Sequence, residues 1–389
     1  MATVTPIGVE PKRRRTVKQF VDKYFLHGQH LDEDLQTRLQ SSPGLPFHEK
    51  YRKYIAFLTP ILFWQLTWWP VAISKGLLVL YATRWEMAVT MIFGALVAGA
   101  TSEGGGAIAF PVMTLLLHIQ PGVARDFSLM IQSAGMAASS FTVIYMRIKV
   151  EWHSILFSTL GAAFSIIIGL QYLDDLLLPI QKKMMFVSIW FSFAISLLIL
   201  NLQKKRKTYD TIPQFNWLKA LVLFCTGLFG GILSAYTGSG VDICSFSVLT
   251  LLFRVSEKVA TPTSVVLMFL NTCVGFYWRQ LIQNDVSTLA WEYFGVCIPV
   301  VVIFSPVGAF LSSHLHRQVL AATVYILETV ALIGFLITGP PLSIVLVGAL
   351  IIVIGSGFFF VLSWAGQKMG ESIETGATDN SASGMSIVP

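Results

Sequence analysis

The chain has 389 residues and is 54% hydrophobic, yet only 12% of its residues are charged. A soluble domain of this length carries about 25% charged residues, because charge is what covers its surface, so a water-soluble globule is excluded. The net charge of +6 does not point to nucleic acid either: the basic residues sit in short clusters beside apolar runs, at Lys12–Arg15, Arg52-Lys53, Arg147 and Lys149, Lys204–Lys207, and Arg317.

Residues 1–53 read as a basic cytosolic segment. Val17, Phe20, Val21, Tyr24 and Phe25 fall at helical spacing behind Lys12–Arg15 and Lys18. Such a stretch forms either a short amphipathic helix on an anionic membrane surface or a solvated tail. The first 50 residues contain no apolar stretch of signal-peptide type. Apolar runs then follow near 55–80, 87–118, 126–147, 152–172, 182–201, 218–253, 259–279, 290–311, 318–338 and 341–363. Each bilayer crossing needs about 20 such residues. The expected fold is an all-α polytopic membrane protein. Its parts are an extra first transmembrane span (54–86), a first transmembrane repeat with a basic linker (87–217), a second repeat with the last span (218–365), and a disordered Gly/Ser/Thr-rich tail (366–389).

Two runs, 87–118 and 218–253, are too long for one span, and each is interrupted by a polar patch. The first patch is Thr101-Ser102-Glu103-Gly104-Gly105-Gly106 and the second Thr237-Gly238-Ser239-Gly240-Val241-Asp242. Each glycine weakens a helix by about 1 kcal/mol relative to alanine, so each run is expected to be two short helices joined by non-helical backbone. If each run folds back as a hairpin, the N-terminus, Arg147/Lys149, Lys204–Lys207, Arg254/Lys258, His314–Arg317 and Lys368 share one face. Asp174-Asp175 and Asp285 then share the other, which satisfies the positive-inside rule and puts both termini in the cytoplasm.

The two runs also match each other without a gap at an offset of 136 residues. The matches include Phe93/Phe229, Gly94/Gly230, Thr101/Thr237, Gly104/Gly240, Phe110/Phe246, Thr114/Thr250, Val123/Val259 and Ser128/Ser264. With the charge-derived directions the halves form an inverted-repeat helical bundle with two Gly-broken helical hairpins. In transporters of that architecture the substrate lies between the breaks. Non-helical backbone survives at membrane depth only beside protein or a polar cavity, and a half-helix starting there aims free N–H groups at it, which suits an anion. The alternative is that the glycines only let helices cross closely.

Candidate substrate-binding residues are Thr101, Ser102, Gly104, Gly105 and Gly106 from the first break. Thr237, Gly238, Ser239 and Gly240 come from the second, with Gln132, Ser133, Thr263, Ser264 and Asn271 on the helices that follow. The hydroxyls among these can instead bond their own helix backbone. Glu103 and Asp242 are candidates for coupling to a proton or cation, or for capping the next half-helix. A carboxylate at membrane depth costs about 2.5–3.5 kcal/mol unless paired, protonated or hydrated. Glu328 sits mid-span with Ser192 as its repeat counterpart, either paired or lining the pathway. Arg147 and Arg279 lie at span ends and read as snorkelling side chains. Cys225, Cys244, Cys273 and Cys297 read as packing residues. No metal-spaced cluster, HExxH or GxSxG appears, so neither an enzyme, a metal nor a cofactor is expected.

The segment Gly94-x₄-Gly99-x₄-Gly104-Gly105-Gly106-Ala107-Ile108-x₂-Pro111, followed by Val123-Ala124, resembles the sulfite exporter TauE/SafE family. Gly227-x₂-Gly230-Gly231 through Gly240, then Val259-Ala260-Thr261-x-Thr263-Ser264, resembles that family's degenerate second copy. Glu103 and Val241-Asp242 depart from the family pattern. The resemblance implies a transporter of sulfite, an organosulfonate or a related sulfur-containing anion. The expected function is therefore secondary transport of a small anion by alternating access, with proton coupling as an option. An anion channel, or a receptor or trafficking protein that transports nothing, is the alternative. Expected partners are the anion, the bilayer and a coupling proton or cation, without nucleic acid; the membrane, plasma or internal, and the oligomeric state stay open.

Overall fold

In lipid a backbone must satisfy its own N–H and C=O groups, so apolar runs with scattered charge become helices. The computed structural model describes residues 47–101, 103–202, 208–312 and 317–384. Most of the basic N-terminal segment, with Ser102 and the Lys204–Lys207 cluster, lies outside the described residues. A helical turn at Phe47–Lys50 precedes α1 (Arg52–Ser74), and a 3-10 turn at Leu77–Val79 leads into α2 (Leu80–Ala100). The first break follows, then α3 (Gly106–Pro111) with a π turn at Val112–Leu116, α4 (Pro121–Tyr145), α5 (Trp152–Ile168) and α6 (Pro179–Leu202). The second half is α7 (Trp217–Thr237), the second break, α8 (Val241–Ser247) with a π turn at Val248–Leu252, α9 (Glu257–Tyr277), α10 (Thr288–Ser312) and α11 (Arg317–Ile337). The last helix, α12 (Leu342–Gly384), closes the chain. Among the described residues ten helices are long and apolar enough to cross a membrane.

Three boundaries differ from the sequence expectation. The first span ends at Ser74, because Gly76 turns the chain with φ +64°. Arg84 and Glu86 consequently lie inside the second span; Arg84 bends it (φ −128°, ψ 15°) and is paired with Glu292 at 2.9 Å. The tail expected to be disordered from Gly366 is helical to Gly384, since extending an existing helix needs no new nucleation. Finally, the broken runs are not two short helices each. The 21-residue helices α2 and α7 are full-length, about 32 Å. Only the return arms are short: Gly106–Leu116 and Val241–Leu252.

Each return arm folds back on the helix before it. A Cβ on Gly94 would lie 3.7 Å from Ile108 Cβ, and one on its mate Gly230 would lie 2.7 Å from Val241 Cα. The two halves repeat down to backbone detail. The π turns sit at Val112–Leu116 and Val248–Leu252, and the chain leaves them through His118 (φ 54°) and Arg254 (φ 55°). Thr114 Oγ1 donates to the Phe110 carbonyl at 2.8 Å, and Thr250 to Phe246 at 2.7 Å. Packing follows the same rule: α2 lies along α10, while α7, the mate of α2, lies along α5, the mate of α10. The mates α4 and α9 pack on each other, as do α6 and α11.

Backbone approaches backbone where these pairs cross. A Cβ on Gly99 would lie 2.0 Å from the Ser305 carbonyl oxygen, one on Gly308 2.1 Å from that of Leu96, and one on Gly227 2.1 Å from that of Ser158. The close-crossing role therefore applies to these glycines within α2, α7 and α10. Gly227→Ala must push α7 off α5, so the thermal midpoint of detergent-solubilised protein should fall by the equivalent of about 1–3 kcal/mol. Gly122→Ala, where a Cβ meets nothing within 4 Å, should leave the midpoint in place. Equal midpoints for the two variants would refute the crossing argument.

Ion pairs report which helix ends lie together. Arg279, near the end of α9, and Arg125, at the start of α4, both reach Asp126, and Asp285 and Asp174 join them. At the other end, Glu151 lies between the α4–α5 turn, Ile212 before α7, and Thr263 early in α9. Outward faces of α1, α11 and α12 carry exposed Leu66, Phe63, Ile333, Val330, Leu350 and Val353, the surface an integral membrane protein shows to lipid. Cys225 is also exposed rather than packed inside.

Candidate functional site

Both breaks begin with a threonine that finishes the preceding helix. The Thr101 hydroxyl donates to the Val97 carbonyl at 2.8 Å and accepts from the Glu103 N–H at 3.1 Å. The Thr237 hydroxyl has the Leu233 carbonyl at 3.0 Å and the Ser239 carbonyl at 2.8 Å. Gly238 then takes φ +82°, a left-handed conformation that a side chain would resist.

The two breaks touch. The Gly104 N–H donates to Asp242 Oδ2 at 2.9 Å, the Ser239 hydroxyl to the same oxygen at 2.9 Å, and the Gly240 N–H to Oδ1 at 2.8 Å. Asp242 thus caps its own half-helix and clasps the opposite break. Gln132 of α4 stands between the breaks, its Nε2 donating to the Gly238 carbonyl at 2.8 Å and the Ser128 carbonyl at 3.0 Å. A Cβ on Gly104 would come within 2.0 Å of Gln132 Oε1, and one on Gly106 within 3.2 Å of Ser239 Cβ. Every described residue of both breaks is buried.

Glu103 differs from Asp242. It is 0% exposed, and neither carboxylate oxygen has a hydrogen-bond partner among the described residues. It interacts electrostatically with Asp242 and with Glu328, which is 1% exposed. Glu103 is therefore no cap. Gln132 Oε1, Ser128 Oγ and Asn271 Oδ1 are likewise buried without a partner.

The other candidates donate within their own helices. Ser133 and Ser264 donate to the carbonyls of Met130 and Thr261 in their own helices, and Asn271 Nδ2 donates to Leu267. Thr263 Oγ1 donates to Val259 and accepts the Glu151 N–H at 2.9 Å, which spends it at the helix end rather than at the breaks.

Sequence reasoning missed a buried charge network at one end of the bundle. Asp126 receives two bonds from Arg279, Nε to Oδ1 at 3.0 Å and the terminal nitrogen to Oδ2 at 2.8 Å. Arg125 adds Nε to Oδ1 at 2.9 Å and also pairs with Asp174, which Lys182 holds from the other side. Arg279 is 7% exposed, so it is not a snorkelling side chain. The α4–α9 contact covers it, and the carboxylate beside it offsets its desolvation. Arg147, by contrast, stays exposed beside Glu49. The signal that was available is the Arg-Asp dipeptide inside an otherwise apolar run. Glu151 was missed as well; it accepts the Ile212 N–H at 2.9 Å and a His153 ring nitrogen lies 2.7 Å away.

The sequence profile of the family described as Sulfite exporter TauE/SafE matches residues 87–335, which runs from within α2 to the end of α11 and takes in both repeats. No curated protein and no solved structure matches the chain. The match covers well over half of the chain and both touching breaks, and the protein thus belongs to the sulfite exporter TauE/SafE family, a family of integral membrane transporters.

Proposed function

We propose that the protein is a secondary transporter of a small sulfur-containing anion, sulfite or a sulfonate, which binds where the two breaks meet. The observation that carries this reading is the Asp242 clasp. A carboxylate already sits against two backbone N–H groups, one from each break, and a hydroxyl, which are the donors an oxyanion uses. Gly106, at the start of the α3 arm, lets Gln132 and Ser239 pack directly against the backbone there. Alternating access fits the end contacts: Arg125–Asp126–Arg279 seals one end of the bundle, and Glu151 with Thr263 and Ile212 ties the other. An inverted relation between the halves is supported by the start of α4 meeting the end of its mate α9. Cytoplasmic termini follow from the positive-inside count, and Glu103 is the group suited to ion coupling.

Reconstitution into proteoliposomes tests the reading with labelled sulfite, sulfate, thiosulfate and taurine-like sulfonates under an imposed pH gradient. Saturable uptake with counterflow of sulfite or a sulfonate is the expected result. Single-channel currents would replace the carrier with a channel, and no flux of any anion would leave a receptor or trafficking role.

A further inference from the structure

Arg125, Ser128 and Gln132 follow one another at i, i+3 and i+7 along α4 and so share one face of it. That face runs from the buried charge network to the clasp. The Arg125 carbonyl oxygen lies 2.7 Å from where a Cβ on Gly238 would stand, and Ser128 Cβ lies 2.6 Å from the same point. Gln132 Nε2, one turn further on, holds the Gly238 carbonyl at 2.8 Å. Ser128 Oγ is buried and has no hydrogen-bond partner among the described residues, so an unused polar group stands midway along this face. At its other end the network reaches water: the Asp174 side chain is 20% exposed and that of Asp285 75%.

The centre of the network is built as an oxyanion site. Asp126 Oδ1 takes Arg279 Nε at 3.0 Å, Arg125 Nε at 2.9 Å and Arg125 Nη2 at 2.8 Å, and Oδ2 takes Arg279 Nη2 at 2.8 Å. Two guanidinium forks thus converge on one carboxylate, and such forks fit carboxylates and tetrahedral oxyanions alike. Arg125, Arg279 and Lys182 face Asp126, Asp174 and Asp285. Withdrawing the Asp126 carboxylate leaves one unit of positive charge and both forks short of an acceptor. The repeat mates of Arg125 and Asp126 are Thr261 and Pro262, so the second half builds no such fork at the equivalent place.

We propose that Arg125 and Arg279 form a second anion site, which takes an oxyanion such as sulfite or a sulfonate when that end of the bundle opens. The Asp126 carboxylate occupies it while the end is closed, as that of Asp242 occupies the clasp. An arriving anion replaces Asp126 on the forks, so both guanidinium groups stay paired throughout the exchange. Ser128 then offers its hydroxyl to the anion on the way to the clasp. The relay from this site to the clasp rests on the transport reading; the anion site itself does not.

Anion rescue tests the site without any transport. Asp126→Ala empties the forks, and formate, acetate or sulfite should then restore the thermal midpoint of the detergent-solubilised variant in a saturable way. Chloride at equal ionic strength offers one atom to a two-pronged donor and should restore less. Adding Arg279→Met to Asp126→Ala should abolish the rescue. No rescue by any oxyanion, equal rescue by chloride, or rescue that survives in the double variant would overturn the site. If Asp126→Ala does not fold, Arg279→Lys decides, since it keeps the charge and loses the fork. Its KM for sulfite uptake should rise at least about tenfold, by more than its maximal rate falls. A wild-type KM with a lowered maximal rate is the signature of a purely structural arginine and would refute the proposal. If the wild type moves no tested anion, the relay fails with the transport reading, while the rescue still decides the anion site.

Discussion

Replacing Asp126 by alanine should lower the unfolding free energy by about 3–5 kcal/mol, the cost of leaving a buried ion pair without one partner. Arg125 and Arg279 are 2% and 7% exposed, and both depend on this carboxylate. Arg125 keeps Asp174, and Arg279 keeps Asp285 and Gln283 at the rim, so Arg279 loses its two-bonded partner and carries most of the damage. The check is a melting curve in detergent for Asp126→Ala against Asp126→Leu combined with Arg279→Met. Removing both charges replaces an uncompensated ion with apolar packing and should recover much of the loss. A double variant as unstable as the single one would show that packing, not charge, is what Asp126 supplies.

Asp242→Ala should have the largest effect on transport. It strips the acceptor from the Gly104 and Gly240 N–H groups and from the Ser239 hydroxyl in one step. Each orphaned buried donor costs about 1–3 kcal/mol, and about 1.4 kcal/mol is tenfold, so initial uptake of sulfite should fall at least about tenfold. Asp242→Asn should rescue little, since one amide oxygen cannot replace two carboxylate oxygens that serve three donors. Ser239→Ala removes one bond and should cost far less. Uptake by Asp242→Ala at the wild-type rate would sink the claim that the clasp organises the site.

Spacing and charge revealed the frame of this molecule because both act locally. The gapless 136-residue match found both breaks, and their residues do meet at Gly104, Gly106, Ser239 and Asp242. Charge counting grouped Asp174 with Asp285, and both join one network. Gln132 was found because a long polar side chain one helix after a break has few other places to go. The failures are tertiary. Whether Arg279 reaches headgroups or a carboxylate depends on how α4 covers the end of α9, which no single span records. The hydroxyls of Ser133 and Ser264 are of the same residue types as site ligands, and only the backbone carbonyls three residues before them separate the two fates. For Glu103 and Asp242, read as one pair in the sequence, opposite surroundings decide: one carboxylate holds three donors and the other, among the described residues, holds none.

The paired π turns have a mechanical consequence. A π turn is a helix with one residue too many, and it costs hydrogen-bond geometry. Val112–Leu116 and Val248–Leu252 hold it at positions 136 residues apart, whereas the residues at that offset from the π turns Gly169–Leu173 and Trp278–Ile282 are not in a π turn. Both return arms therefore end in the same weakly bonded turn, just before the chain reverses through His118 and Arg254.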